Sequence, residues 1–577
     1  MVTISSGSGG LRRLFWQLLR EDAGNVLMLT AALLIPLTAL IGSGIDLGRI
    51  YVARQRMQVA CDAASLAGRR AVSAGATATA VQAEATKFFN YNFPQQSYGT
   101  ATFTPDAKVS TDSTQTVTVT ANTTLPMSVM TIFGFTTQPI SVTCNASQNY
   151  VNTDVVLVLD TTGSMADKAV STDTETKIQG LRDAVMAFYN TMAPVQAQLS
   201  AAGMRMRIGI VPYSSAVNVG GIVQAVNPTY IVSDNWTYQS RQIVTDATAN
   251  LHTQSQCTNT VLTTNTSQAG LSGTWNSSTK KCTYFSYAPI SRNVAQFVAG
   301  STVDVTPLIG KPSDSNGVTP STSTSANNTT WGGCIEERDT TQMSATTTSI
   351  DPAATDLDID LIPTTNANRW RPYWPEVEYQ RTYTGYVYSN DMMKPQYACP
   401  AAAKRLQWWS HDDLLAYVNS LNPDGGTYHD NGMRWGMRLG SPNGIFGSDN
   451  PSTFNGMPVN RFIIFMTDGI MDTGYSTLYS SYGVEQWDAR VTPGGSASNE
   501  TDQLNRHLNR FDLLCSKAKS TPYNYNIWVI GFAQALDTHL TNCASNAGQA
   551  STAANSAALI AKFQQIGQNI GALRLTR

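Results

Sequence analysis

The sequence predicts an α/β fold: a doubly wound sheet interrupted by a large insert and preceded by one membrane-length helix and a small β domain. Three observations lead there. DVVLVLD (154–160) and RFIIFMTDG (461–469) are apolar runs that end in an acid, the pattern of a buried parallel strand whose carboxyl end opens into a loop. Around them apolar residues return at helical spacing, as in Ile178, Leu181, Val185, Phe188 and Met192. Strands alternating with helices build a sheet with ligands at its carboxyl ends. Finally, Val26–Ile45 is a run of twenty residues without a charge, long enough at ~1.5 Å per residue to cross a hydrocarbon core of ~30 Å.

That run is read as an anchor. A cleaved signal usually has a shorter apolar region of ~7–15 residues, and a buried soluble helix would tolerate Pro36 less well than a membrane helix does. Arg12, Arg13 and Arg20 precede it and Arg49, Arg54 and Arg56 follow it, so the positive-inside rule is nearly tied. The cysteines break the tie. Seven of eight lie beyond residue 140 without a C-x-x-C zinc pattern, which favours disulfides in an oxidising compartment. Cys257 with Cys282, Cys334 with Cys399 and Cys515 with Cys543 are plausible pairs. The expected placement is a single pass with the N-terminus inside and the bulk of the chain outside the cytoplasm.

Composition narrows the function. Lys and Arg number 38 against 40 Asp and Glu, for a net charge of -2, which excludes the basic domain of a nucleic-acid binder. Only 14% of residues are charged, below the typical ~25%, and Ser, Thr, Asn and Gln take their place, as in 319–330.

Six segments follow. Residues 1–24 form a cytoplasmic arm and 25–70 the transmembrane and juxtamembrane helix. Beyond the membrane, Leu47, Ile50, Val52, Met57, Val59, Ala60, Ala64 and Ala67 form an Ala-rich apolar stripe, either a spacer or a packing surface for another helix. Residues 71–148 are a small β-rich domain, because TQTVTVTANTTLP and QPISVTC alternate with period two. The α/β domain comes in two parts, 149–219 and 401–577, with further strands at MRIGIVPYS (206–214) and IWVIGFA (527–533). The insert, 220–400, is too long for a structureless loop in a compact domain; it carries a disulfide-stapled core or is largely disordered. Within it Trp370, Tyr373 and Trp374 form either an exposed aromatic patch or ordinary packing. Asp356, Asp358 and Asp360 match a calcium loop poorly, since the glycine and terminal Glu of an EF-hand are missing.

The loops after the two acid-ended strands carry Asp160, Thr162 and Ser164, and Asp468; between them GGTYHDNG supplies Thr427. This D-x-T-x-S, Thr and Asp set resembles the von Willebrand factor type A domain, with Thr162 standing where that family has Ser. The resemblance implies a Rossmann-like sheet and a metal-ion-dependent adhesion site in which Asp160, Thr162, Ser164, Thr427 and Asp468 hold Mg²⁺ or another divalent cation. Carboxylate and hydroxyl oxygens suit such a hard ion, and two carboxylates leave it incompletely neutralised, ready for an acidic side chain of a partner. A buried Asp merely capping a helix is the plainer alternative. Asp173 and Glu175 read as solvated loop residues, and His429 and Asp430 as shaping the Thr427 loop.

MQVACDAASLAG, GGTYHDNGMRWGMRLGSPNGIF, FIIFMTDGIMDT and the closing IGALRLT together resemble the TadE/TadG-like proteins of Tad/Flp pilus assembly. The resemblance implies a bacterial envelope protein, anchored by a single pass in the inner membrane with its bulk in the periplasm, whose partners are pilus-assembly or pilin proteins. Prepilin-like processing is not expected, because NVLML after Gly24 lacks a Glu at the fifth position. A free-standing surface adhesin or sensor is the second reading, since a fold does not fix a function. A metal-dependent hydrolase is the third: H-E-x-x-H, G-x-S-x-G and P-loop patterns are missing and the five His are scattered, so the protein is not expected to be an enzyme.

Overall fold

A computed structural model describes residues 22–73, 76–110, 116–147, 152–246, 253–257, 273–310, 327–379, 394–494 and 499–571. They divide into an N-terminal unit, residues 1–150, and a larger one, residues 151–571. Arg12, Arg13 and Arg20, most of 319–330 and the end of the chain from 572 lie outside the described residues.

In the N-terminal unit the apolar run and the stripe after it form one unbroken helix, α1 (Asp22–Ser73), with Pro36 inside it. Its first half exposes Leu33, Leu34, Leu37, Leu40 and Ile41, while Ala53, Met57, Ala60, Cys61 and Ala64 are fully buried. The small faces let α2 (Ala78–Asn92) lie close against it, and both cover a three-stranded antiparallel sheet, β1 (Asp106–Val109), β2 (Val117–Pro126) and β3 (Thr137–Ala146). Strand alternation works as expected: Val117, Val119, Ala121 and Leu125 point inward. Leu47, Val52 and Val59 of the expected stripe instead face outward, because only one side of the helix meets α2 and the sheet. A disulfide between Cys61 and Cys144 ties α1 to β3.

The larger unit starts with β4 (Asn152–Asp160), followed by α3 (Lys177–Ala201) and β5 (Met206–Tyr213). A small antiparallel sheet comes next, β6 (Asn235–Asp246), β7 (Gly273–Asn276) and β8 (Lys281–Asn293). The chain then returns through β9 (Lys404–Gln407), α4 (His411–Asn419), α5 (His429–Gly440), β10 (Met457–Thr467), α6 (Glu500–Lys519), β11 (Asn526–Phe532), β12 (Ala550–Ala553) and α7 (Ser556–Ile570). The main sheet has the order β9-β5-β4-β10-β11-β12, parallel except for the β9 edge, and a two-residue strand (Thr453–Phe454) pairs with β10. From β4 the chain moves to β5 on one side, whereas β10 flanks β4 on the other. Asp160 and Asp468 therefore end neighbouring strands at the switch point where an open α/β sheet leaves a crevice.

Helix α5 packs on one face of the sheet; a Cβ at Gly436 would overlap Val158, and one at Gly440 would overlap the Tyr525 hydroxyl. Helices α3 and α7 pack on each other, Phe188 meeting Phe563 edge to face.

The described part of 220–400 shares this core. Trp370, Tyr373 and Trp374 are buried, Trp374 stacking on Phe297 and Tyr373 on Tyr479, so they pack and form no exposed patch. Glu337, fully buried, accepts from Arg438 at 2.8 Å, from Trp435 Nε1 at 2.6 Å and from Trp370 Nε1 at 3.1 Å, and lies 3.2 Å from Arg434 Nε. Asp356 accepts from Tyr482 at 2.5 Å and pairs with Arg510. Asp360 accepts from Tyr523 at 2.8 Å. These acids serve internal pairing, which accounts for the poor calcium-loop match. The disulfides Cys257–Cys282, Cys334–Cys399 and Cys515–Cys543 are formed, as the cysteine spacing suggests.

Candidate metal centre

Asp160 closes β4, and its two neighbouring strands deliver what surrounds it. Tyr213 ends β5 opposite Asp160, and Thr467 and Asp468 follow on from the β10 register that pairs Met466 with Leu159. After Asp160 the backbone leaves the sheet and makes a single short turn, Gly163–Ala166, with Thr162 extended before it. The 424–427 segment lies across this turn: Gly163 N donates to Gly425 O at 2.9 Å and Asp424 N to Thr161 O at 2.9 Å. Gly425 has φ +82 and no room for a Cβ beside Ala398, so glycine is required where the segment crosses.

Four of the five expected residues meet. Ser164 Oγ donates to Asp468 Oδ1 at 2.8 Å, Thr162 Oγ1 lies 3.1 Å from Ser164 Oγ and 3.4 Å from Asp468 Oδ1. Asp160 stands behind them, fully buried. Its Oδ1 accepts from Thr162 N at 2.9 Å; its Oδ2 accepts from Thr467 Oγ1 at 2.8 Å and from Tyr213 O–H and Asp468 N at 3.4 Å each. Burial pushes the Asp160 carboxyl up to about 6, and the Asp468 charge adds to the rise. Thr427 is brought alongside by backbone pairing with Asp472 at 2.8 and 3.0 Å. Among the described residues its hydroxyl makes no hydrogen bond to the Asp160–Asp468 group.

Lys177 and Thr467 were not expected to take part, and His429 was expected only to shape the Thr427 loop. Lys177, the first residue of α3, reaches back so that Nζ donates to Asp468 Oδ2 at 2.9 Å and to Ser164 O at 3.3 Å. Thr467 links Asp160 to His429, whose Nε2 is 3.0 Å from Thr467 Oγ1. Burial holds His429 down to about 4, so it is neutral. Because Thr467 gives its proton to Asp160, Nε2–H is assigned as the donor. The only sequence signal for Lys177 is its position as the first helical residue, within the Thr176–Gln179 capping box. Asp173, expected to be solvated, instead accepts from Ser556 N at 3.4 Å at the start of α7.

The donor set, all oxygen, suits a hard divalent cation: the Asp468 carboxylate and the Thr162 and Ser164 hydroxyls converge, with the Asp160 carboxylate behind them. Among the described residues no group of three or more His, Cys, Asp and Glu is arranged to hold a metal, so a cation here would depend on the hydroxyls of Thr162 and Ser164.

Residues 24–82 match the family model described as putative Flp pilus-assembly TadE/G-like. Over these residues the chain is TadE/G-like. The matched segment takes in the apolar half of α1, its small-residue face and the start of α2. No match was found among curated proteins. Among solved structures the chain is similar to the pilus adhesin SpaC from Lactobacillus rhamnosus GG, at 11% identity over 82% of this chain and 34% of SpaC, with a TM-score of 0.30. The chain thus spans about a third of SpaC. It is also similar to the PilB minor pilin from Streptococcus sanguinis, at 12% identity over 82% of this chain and 79% of PilB, TM-score 0.29. The vWF domain of the type V pili tip protein Mfa5 from Porphyromonas gingivalis gives 12% identity over 74% and 98%, TM-score 0.28. Likeness this remote fixes neither fold nor partner.

Proposed function

We propose that this chain is a membrane-anchored envelope protein of Tad/Flp pilus assembly. In this reading the parts 149–219 and 401–577 form a von Willebrand factor type A domain that binds an acidic group of a pilus-assembly or pilin protein through Mg²⁺ or another divalent cation. The pathway rests on the Tad domain at 24–82. The binding mode rests on one observation: the carboxylate of Asp468 and the hydroxyls of Thr162 and Ser164 meet at the sheet's switch point with the Asp160 carboxylate behind them. A bound divalent cation would supply a positive charge to which a partner's carboxylate could add. The chain's own residues do the positioning: Thr467, Tyr213 and the Thr162 N–H hold Asp160, and the 424–427 backbone holds the Asp160–Ser164 turn. Thr427 would join the shell by turning its hydroxyl inward. Among the described residues the histidine nearest the group, His429, is fully buried and spent on Thr467, which favours binding rather than catalysis as the role proposed. The anchor is α1, with the larger unit outside the cytoplasm.

The test is co-purification of pilus-assembly proteins with the full chain in Mg²⁺ and in chelator, alongside titration calorimetry with Mg²⁺. Asp160→Ala and Asp468→Asn should abolish Mg²⁺-dependent capture, and Thr162→Ser, which keeps the hydroxyl, should barely change it. Circular dichroism checks that each variant folds. Capture and metal binding that survive in a folded Asp468→Asn protein would end the reading.

A further inference from the structure

We propose that the tip of the β2–β3 hairpin, residues 127–136, inserts into the bilayer interface at the carboxyl-terminal end of the apolar run, with Ile132 and Phe135 in contact with lipid. The inference rests on the reading of α1 as a membrane anchor and adds a second contact to it.

The tip is fixed at the depth where the span ends. Asp46 is the first charge after Val26–Ile45, and its carboxylate accepts the backbone N–H groups of Ser128 at 2.8 Å, Val129 at 3.0 Å and Met130 at 2.9 Å. Arg49, one turn on, donates to Pro126 O and to Tyr98 O, each at 3.3 Å. One turn before Asp46, Gly42 leaves room for Val129, whose Cγ1 would sit 2.5 Å from a Cβ there. The hairpin tip therefore lies beside the last turn of the apolar run, and Tyr98, a residue type suited to the headgroup level, is held at the same height.

The tip is also built for a medium poor in water. From Ser113 to Thr153 the sequence has no Asp, Glu, Lys or Arg, and the tip itself reads MSVMTIFGFT. Ile132 is 80% exposed and Phe135 60%, a poor arrangement in water and a natural one in lipid. Seven of the tip's ten backbone N–H groups are paired internally, which burial in lipid favours. Besides the three N–H groups held by Asp46, Met127 N donates to Thr136 O, Ile132 N to Val129 O, Gly134 N to Thr131 O and Phe135 N to Met130 O. Even the Thr131 hydroxyl is spent, on Met127 O at 2.7 Å. An open groove of about 340 Å³ between Leu47 and Ile50 of the helix and Met127, Met130 and Phe135 of the hairpin continues the apolar surface, wide enough for an acyl chain to lie against it.

The experiment uses the full chain in phosphatidylcholine nanodiscs, with the photo-cross-linking residue p-benzoylphenylalanine placed singly at Ile132, Phe135, Leu34 or Lys108. Lys108 is exposed on β1, beside the far end of β2, whose ten residues put it roughly 30 Å from the tip. Expected are phospholipid adducts by mass at positions 132, 135 and 34, and none at 108. Adduct at 34 alone overturns the hairpin inference and leaves the anchor standing. No adduct at 34 overturns the anchor, and the inference with it. Equal adduct at 108, or cross-links from 132 and 135 into a second protein chain instead of lipid, would also overturn the inference.

Discussion

Two groups of buried charge in the larger unit answer their acids in opposite ways. Around α5 three buried carboxylates each have a basic partner: Glu337 has Arg434 and Arg438, Asp356 has Arg510 and Asp430 has His507 at 3.0 Å. At the switch point Asp160 and Asp468 have, among the described residues, one cation between them, Lys177 on Asp468. The first group is closed and draws on residues 336–356, α5 and α6 together, so it fixes where the insert docks. The second is short of positive charge and faces a loop cluster. Burying charge costs several kcal/mol per ion unless it is paired. In the proposed reading, an incoming divalent cation would supply the charge that the second place lacks.

The largest expected effect follows from the closed group. Glu337→Gln removes the charge between Arg434 and Arg438, which override the opposing effect of burial to hold that carboxyl well below its usual range. Two guanidiniums would remain buried without their counter-ion, at a cost of about 3–5 kcal/mol. Guanidinium-chloride unfolding of the chain should show it as a lower midpoint. Asp468→Asn should cost less, because it leaves a single ammonium that is 12% exposed and keeps Ser164 O as an acceptor, against two guanidiniums at 0% and 1%. Equal costs for the two substitutions would break the distinction between a lock and a site.

The open group was the more legible of the two in the sequence. Asp160, Thr162, Ser164 and Asp468 announce themselves because each follows an apolar run within a few residues, and chain order carries the pattern. The three later disulfides were equally visible, since their cysteines fall into short-range pairs. The closed group was invisible for a physical reason: Glu337 meets Arg438 across 101 residues, and nothing local marks either as buried. The same holds for Trp370 and Trp374, whose sequence allows a surface patch as well as a core. Lys177 was hidden differently, because a lysine at a helix start ordinarily points to solvent, and only the return of the loop to Asp468 turns it inward.

A mid-sized effect sharpens the comparison at Lys177. Its ammonium sits on the one carboxylate that would also face an incoming cation, so the two compete. Lys177→Met keeps the length of the stem and removes the charge. Mg²⁺ affinity should rise by about tenfold, on the order of 1 kcal/mol, the worth of a partly exposed ion pair. Calorimetric titration measures it directly. Unchanged affinity would mean that Lys177 is a strut of the loop and that the site is less short of positive charge than it looks.

The smallest effect is a pH dependence confined to the closed group. His507 sits between Asp430 on α5 and Glu485, 3.0 and 3.8 Å away, with Tyr428 and Tyr482 against its ring and Arg434 and Arg510 sharing Asp430. Burial alone would lower its pKa, but the charge and hydrogen bond of Asp430, with Glu485 adding to them, raise it above the ordinary value of 6.5. A raised folded-state value means that the native protein holds this proton more tightly than the unfolded chain does. The stabilisation is therefore complete below about 6.5 and is lost as pH climbs through the folded value. Thermal unfolding of the wild type should shift downward from pH 6 to pH 9, and His507→Gln, which keeps a donor but cannot titrate, should flatten part of that slope. A slope unchanged by the substitution would assign the pH dependence to other groups and leave Asp430 to its two arginines.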